Sequence, residues 1–428
     1  MDFTHLILLI GTNPLPNYVA AAYFLAQNKK LKTVSLVHTK ETFAIAQRLQ
    51  KIFKREHAAL AFNYWGLSDP GNPAVVRRQI TAALKPFARD KLHLLYTGGT
   101  KNMAVQSYRT VFVEATPGHA SFSNLDAHDF RLKFDDGLTM TGDLRQEVAL
   151  RIETLLELHD CRKIKPSHEL DWREANRVVR QFIGQNLVRD FVAWKNEKIR
   201  RIFYESDHLR RPHRVHLEEL QSTRAKGADE PAASSAVHPF HEQAMRLINA
   251  FPPRQAWKFD AQNELVIPDS KRDYSEKRGD FVQGILYLDG AWLEFYVKDL
   301  LQRRIKAEQL GFELMCNWRL VRGEAQKDFE IDVMLLNGYQ LCGISITTAM
   351  QESLCKSKAF EILHRSQQMG GEEARAVLMT TLPAEKAQKI SEDLQVDTGG
   401  DEQLKILGLD DLPPDRLWPK IKEHLPGK

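Results

Sequence analysis

Cysteine is scarce in this chain, and the four present stand far apart. Cys161, Cys316, Cys342 and Cys355 form no Cys-x-x-Cys pair, so neither a zinc site nor a disulfide framework is signalled. A reduced, cytoplasmic setting is the expectation. Long apolar runs are also missing. Nothing reaches the length of a membrane-spanning helix, and the first apolar run is too short and lacks the basic leader of a signal peptide. Charge is nearly balanced, at +4 over 428 residues, which does not by itself mark a nucleic-acid binder. No internal repeat is present. The length predicts two or three domains with a sizeable core.

What the chain does have begins with one turn. The apolar run Leu92 to Tyr96 breaks into Thr97-Gly98-Gly99-Thr100-Lys101-Asn102-Met103, and helix-compatible residues follow. Glycines at such a break let backbone N–H groups approach a ligand, and the next helix brings its positive end there. The hydroxyls and Lys101 suit phosphate oxygens. The spacing matches neither a P-loop nor a dinucleotide fingerprint, and two adjacent glycines are equally what a plain tight turn needs. Near the start, Leu6 to Ile10 reads as a strand buried on both faces. It ends in Gly11-Thr12-Asn13-Pro14 before a helix from Tyr18 to Leu25. Two such loops at the carboxyl ends of parallel strands line one crevice in a doubly wound domain.

Residues 1–143 alternate short apolar runs with helical stretches, the pattern of an α/β domain with a parallel sheet. Residues 144–238 read as a helical connector. It carries a cationic stretch (Lys195, Lys198, Arg200, Arg201, Arg210, Arg211, Arg214) and a flexible linker from Ser222 to His238. The stretch suits a solvated helix face as well as a grip on nucleic acid. Residues 239–428 read as a second domain in the order helix, strand, hairpin, helix, strand. Asn337-Gly338 marks the hairpin, with a type I′ turn expected. Trp292, Phe295 and Tyr296, at helical spacing, are assigned to the core.

Carboxylates gather around that hairpin. Glu330 and Asp332 alternate on one strand and share a face, while Glu294 lies in the preceding helix. Clustered acids beside a phosphodiester make chemical sense when they hold Mg²⁺ or Mn²⁺, which activates water and offsets developing charge.

Gly11-Thr12-Asn13-Pro14 together with Thr97-Gly98-Gly99-Thr100-Lys101-Asn102-Met103 resembles the CARF domain, which senses cyclic oligoadenylates made by type III CRISPR complexes. Gly290-Ala291-Trp292-Leu293-Glu294, Glu330-Ile331-Asp332-Val333 and the segment from Lys356 to Gly371 resemble the CRISPR ancillary nucleases, which fuse a CARF sensor to a PD-(D/E)xK domain. The resemblance implies an α/β protein with a Rossmann-like CARF domain, a helical connector and a PD-(D/E)xK nuclease-like domain. It further implies a homodimer activated by a cyclic oligoadenylate, cyclic tetra-adenylate first among them, and metal-dependent cutting of RNA, DNA or both.

The chain departs from that family at one place. Where the second hairpin strand normally carries Glu-x-Lys, it reads Ser345-Ile346-Thr347. Neutral hydroxyls bind a hard cation far more weakly than carboxylate does. Lys356 or Lys358, at the start of the next helix, is expected to replace the lysine, and Glu352 offers an acid. The first reading is therefore a ligand-activated nuclease. Its rivals are a sensor with a dead nuclease fold that binds nucleic acid or protein, and a ring nuclease that degrades its own ligand.

Overall fold

The computed structural model describes residues 2–137, 139–164, 171–205, 214–221, 238–266, 276–323, 328–398 and 403–425. The first domain runs β1 (His5–Leu9), α1 (Leu15–Gln27), β2 (Thr33–His38), α2 (Phe43–Glu56), β3 (Ala61–Gly66), α3 (Pro73–Leu84), β4 (Leu92–Leu95), α4 (Lys101–Glu114), β5 (Ala120–Leu125) and β6 (Leu132–Phe134). Its sheet has the order β3-β2-β1-β4-β5-β6. All pairings are parallel except that of β6. Every residue of β1 is buried. Leu6 and Leu8 enter one core, Ile7 and Leu9 the other, as a strand covered by helices on both faces requires. Chain order reverses between β1 and β4, the switch point where open α/β sheets bind ligands.

The rest of the chain adds α5 (Leu144–Glu147), α6 (Ile152–Leu158), β7 (Cys161–Ile164), α7 (Arg173–Gly184), α8 (Val188–Trp194), a π-helical stretch (Lys195–Glu205), β8 (Arg214–His216), α9 (Leu217–Gln221) and α10 (His241–Asn249). There follow β9 (Glu264–Val266), α11 (Glu276–Leu286), a π-helical turn (Tyr287–Ala291), α12 (Trp292–Ala307), β10 (Glu313–Arg322), β11 (Asp328–Asn337) and β12 (Gln340–Thr347). The chain closes with α13 (Glu352–Gly370), β13 (Arg375–Thr380), α14 (Ala384–Thr398), β14 (Leu404–Leu407) and α15 (Pro414–His424). The second sheet has the order β14-β13-β12-β11-β10-β7, antiparallel from β7 to β12 and parallel beyond.

Three differences from the sequence reading have physical causes. The connector is not set apart from the second domain: β7 pairs with β10, and Phe182, Phe191 and Trp194 share one core with Trp292 and Tyr296. The helix before the hairpin, which carries Glu294, is interrupted upstream by the π-helical turn around Asp289 and Gly290. The hairpin turn has positive φ at Gly338 (+60°) and not at Tyr339, the pattern of type II′ rather than I′. Arg210, Arg211 and linker positions 222–237 lie outside the described residues.

Because Phe191 is fully buried, with its ring 5.1 Å from that of Trp292, Phe191→Ala should lower the unfolding free energy by about 3–5 kcal/mol. Denaturant titration checks this. A loss near zero would mean that the connector does not share the core.

Candidate functional site

The first-strand loop and the glycine turn meet at the switch point. A Cβ on Gly98 would overlap the Leu9 carbonyl oxygen and lie 2.8 Å from Asn17 Nδ2. That carbonyl already accepts a hydrogen bond from Asn17 Nδ2 at 2.9 Å. Gly99 takes φ +75°, a region that glycine enters without cost. A Cβ on Gly11 would stand 3.1 Å from the Gly99 backbone nitrogen. The glycines therefore serve close backbone contact between the two loops, beyond what a tight turn needs.

Around this seam the candidate residues divide. Thr100 caps α4, its hydroxyl accepting from the Met103 N–H at 3.2 Å. Lys101 is exposed on the first turn of that helix, and Thr12 is exposed in the other loop. Thr97 accepts from the Leu125 N–H at 2.6 Å, and Asn102 donates to the Pro70 carbonyl at 2.7 Å. Asn13 accepts from the Leu15 N–H at 3.0 Å. Pro14 and Met103 are buried, so they shape the loops from beneath. The open face is left to Thr12, Gly99, Thr100 and Lys101, with the positive end of α4 below them.

The second constellation centres on Asp332. The β11–β12 pairing sets Val333 opposite Ile344, which brings Asp332 beside Ser345 and Ile346. Asp332 Oδ2 accepts from the Ile346 N–H at 2.5 Å and from the Ser345 hydroxyl at 3.3 Å. Burial pushes the Asp332 carboxyl up to about 6, against the Ile346 hydrogen bond, with Glu330 adding repulsion and Lys358 opposing it. Glu294 on α12 is pushed up to about 8, first by burial, then by Asp332 and Glu330, with Lys358 again opposing. Lys358 therefore stands within electrostatic reach of both acids.

Other candidates point elsewhere. Lys356 pairs with Asp393 of α14, and Glu352 faces Lys386 at 3.3 Å. Glu330 is half exposed and lies 3.9 Å from Arg319 Nε. Thr347 is buried, its hydroxyl accepting from the Ala349 N–H at 3.2 Å. Sequence reasoning missed the Ile346 N–H, a backbone donor that only strand register can place. It also missed the network under the π-helical turn. There the Asp289 carbonyl accepts from Thr348 Oγ1 at 2.5 Å and from buried Lys195 at 3.1 Å. Two connector cations are buried in the fold, Lys195 and Lys198, and Arg200 faces Asp289 at 3.3 Å from a partly exposed position.

No three His, Cys, Asp or Glu side chains converge into a metal-binding group among the described residues. The expected trio of Glu294, Glu330 and Asp332 is thus not drawn into one cage. Glu294 and Asp332 remain as a narrower set of two buried, interacting carboxyls, with Lys358 as the cation that acts on both. Such a set fits Mg²⁺, which is commonly held by one or two carboxylates while keeping waters and phosphate oxygens as its other ligands.

The raised acids give stability a definite pH slope. Between the ordinary carboxylate range and about pH 8, the folded chain binds more protons at Glu294 and Asp332 than the unfolded chain does. Their contribution is full in acid and is lost as pH rises through about 6 and about 8. The buried neutral histidines, His5, His93 and His159 among them, act on the acid side because their protonation is pushed down. Melting temperature should therefore fall from pH 7 to pH 9 in EDTA. Glu294→Gln should flatten the fall, and so should millimolar Mg²⁺ with the wild-type chain. An identical slope in wild type and Glu294→Gln would remove Glu294 from the buried pair.

No protein-family profile matches the chain, and no curated protein matches it in sequence. Solved structures do match. Can2 from Sulfobacillus thermosulfidooxidans, in complex with cyclic tetra-adenylate, superposes with a TM-score of 0.63 at 15% identity, covering 99% of each chain. Protein VC1899 from Vibrio cholerae gives a TM-score of 0.67 at 14% identity, again over 99% of each chain. Identities this low speak for the fold. The chain has the architecture of these proteins from end to end: a Rossmann-like α/β domain followed by a second, mixed α/β domain.

Proposed function

We propose that this protein is a cyclic-oligoadenylate-activated nuclease of type III CRISPR defence, with cyclic tetra-adenylate as its activator. One observation carries the reading. The glycine-bridged loops of β1 and β4 meet at a switch point within a fold shared with a protein bound to cyclic tetra-adenylate. Phosphates of the ring would lie on the backbone of Gly11 to Asn13 and Gly98 to Thr100, against the positive end of α4 and beside Lys101. The face of α4 supports a homodimer. Val105, Phe112 and Val113 are 60%, 67% and 67% exposed, on the helix that leaves the ligand loop. A two-fold partner on that face would bring a second copy of the same loops to a symmetric ring.

In the second domain, Glu294 and Asp332 would hold a divalent cation, which supplies water activation and charge neutralisation at a phosphodiester of RNA or DNA. The Ile346 N–H and the Ser345 hydroxyl fix the Asp332 carboxylate in place. Lys358 is positioned to take over the lysine absent from Thr347, orienting the attacking water or steadying the phosphate. A second reading, a sensor whose nuclease domain has lost its chemistry, is favoured by Ser345 standing where the family's acid stands.

The deciding experiment incubates labelled RNA and DNA with the full chain, with and without cyclic tetra-adenylate and Mn²⁺. Cleavage requiring both supports the first reading. Asp332→Ala should then abolish cutting and leave ring binding intact. Inactivity of wild type on every substrate, with activity gained by Ser345→Glu with Thr347→Lys, supports the second. For the sensor, Lys101→Ala should weaken ring binding by roughly tenfold or more, the scale of one charge-assisted hydrogen bond, as calorimetry would read. Phe112→Asp should convert a ligand-free dimer to monomer in light scattering. A dimer that persists would place the partner on another face.

A further inference from the structure

The end of α13 reaches the sensor. Gly371 follows the helix at φ +77°, and a Cβ there would stand 2.7 Å from Asn13 Nδ2 and 2.8 Å from Glu373 Oε2. The backbone of the second domain thus touches the first-strand loop of the first domain, and Asn13 and Glu373 flank the same point. Glu373 is 9% exposed. Its carboxyl has no ion-pair partner among the described residues. Burial pushes it up to about 7, Glu372 and Asp126 add repulsion, and its own backbone N–H draws it down. Tyr339 faces it from the β11–β12 turn, with Arg145, Asp143 and Asp129 grouped around that phenol. Arg145 is committed to Asp143 and to Gln340.

We infer that Glu373 is the residue through which the second domain senses occupancy of the cradle: an anionic ring over Gly11 to Asn13 repels its carboxyl, and the turn at Gly371 shifts with it. The inference rests on the proposed reading of those loops as a cyclic-oligoadenylate site. A phosphodiester cannot shed its charge near neutral pH, whereas the Glu373 carboxyl can take a proton or move. The empty cradle tolerates this acid, and the filled cradle does not. A difference of that kind between two states is what allows a ligand to shift them. Movement of the turn has a direct path, because α13 is a continuous helix of 19 residues, about 28 Å long at 1.5 Å per residue. Lys358, about 18 Å back along the same helix, acts electrostatically on Glu294 and Asp332.

The test is calorimetry of the full chain with cyclic tetra-adenylate from pH 6 to pH 8, on wild type, Glu373→Gln and Glu373→Asp. Wild-type affinity should fall about tenfold over that range as the carboxyl ionises toward a like charge. Glu373→Gln should bind tightly and evenly across it, while Glu373→Asp should keep a slope. Amide exchange along α13 should change when wild type takes the ring, and Glu373→Gln should start nearer that state before the ring is added. If wild type binds the ring with the same affinity and pH profile as Glu373→Gln, the role of Glu373 is overturned and the sensor reading stands. If wild type does not bind the ring at all, the sensor reading falls and this inference falls with it.

Discussion

Helix α13 lies on its sheet at a distance that only glycine permits. A Cβ on Gly343 of β12 would overlap Ser366 Oγ and come within 2.9 Å of Ile362 Cδ1. At the helix end, a Cβ on Gly370 would stand 2.9 Å from that of Leu341 and 2.8 Å from that of Ala374. Close-packed interiors do not yield by small local slips. The helix therefore cannot slide over β12 without repacking, and helix and strand move together. Strand β12 is also the one that presents Ser345 and Ile346 to Asp332. The acid site thus lies on a unit formed by β12 and α13, and the end of α13 touches the first-strand loop of the first domain at Asn13, so the two domains are connected by packing as well as by the chain.

The charges at those two places differ from the rest of the surface. Exposed carboxylates elsewhere are held low by a cation, among them Asp2 by Lys30 and Lys91, Asp126 by Lys133, and Asp410 by Arg189. Such exposed pairs contribute little to stability. Glu294, Asp332 and Glu373 are held high by burial instead. Retaining an under-compensated acid in a half-buried position costs folding free energy, and sites of that kind concentrate where proteins do chemistry or bind ligands. The same reasoning separates the catalytic candidates, since Glu330 meets Arg319 in solvent while Asp332 meets a backbone N–H.

Much of this was legible in the sequence, for reasons that can be traced. The buried run of β1 and the glycine turn after β4 follow from hydrophobic continuity and backbone steric limits, both local properties. The hairpin followed from Asn337-Gly338, although the turn type did not, because Gly338 and Tyr339 take the central positions and Tyr339 avoids positive φ. Less was legible where long-range packing decides. Strand β7 is short and polar at Arg162 and Lys163, and its place beside β10 depends on pairing 155 and more residues downstream. Lys195 looked like one of a solvated row of cations, yet it is fully buried against Asp289. Lys198 is buried as well, and nothing in their neighbours along the chain distinguishes these two from Arg200 or Arg201. The contact of Asn13 with Gly371 joins the two domains, and only the folded chain brings them together.

The displaced lysine illustrates how helix geometry resolves what strand geometry left open. Lys356 and Lys358 are two residues apart, so they project about 200° apart around a helix of 3.6 residues per turn. Only one of them can face the acids. The buried face of α13 runs through Cys355, Ala359, Ile362 and Ser366, the i, i+4, i+7 and i+11 positions of one stripe. Lys358 falls at i+3 from Cys355 and beside Ala359, on one edge of that stripe. Lys356 falls on the opposite edge of the stripe, where α14 supplies Asp393 as its partner. Periodicity leaves both lysines on edges of the buried stripe, and their surroundings separate them: Lys356 is taken by Asp393, Lys358 acts electrostatically on both acids, and Thr347, in the strand position, turns its hydroxyl to the backbone of Ala349.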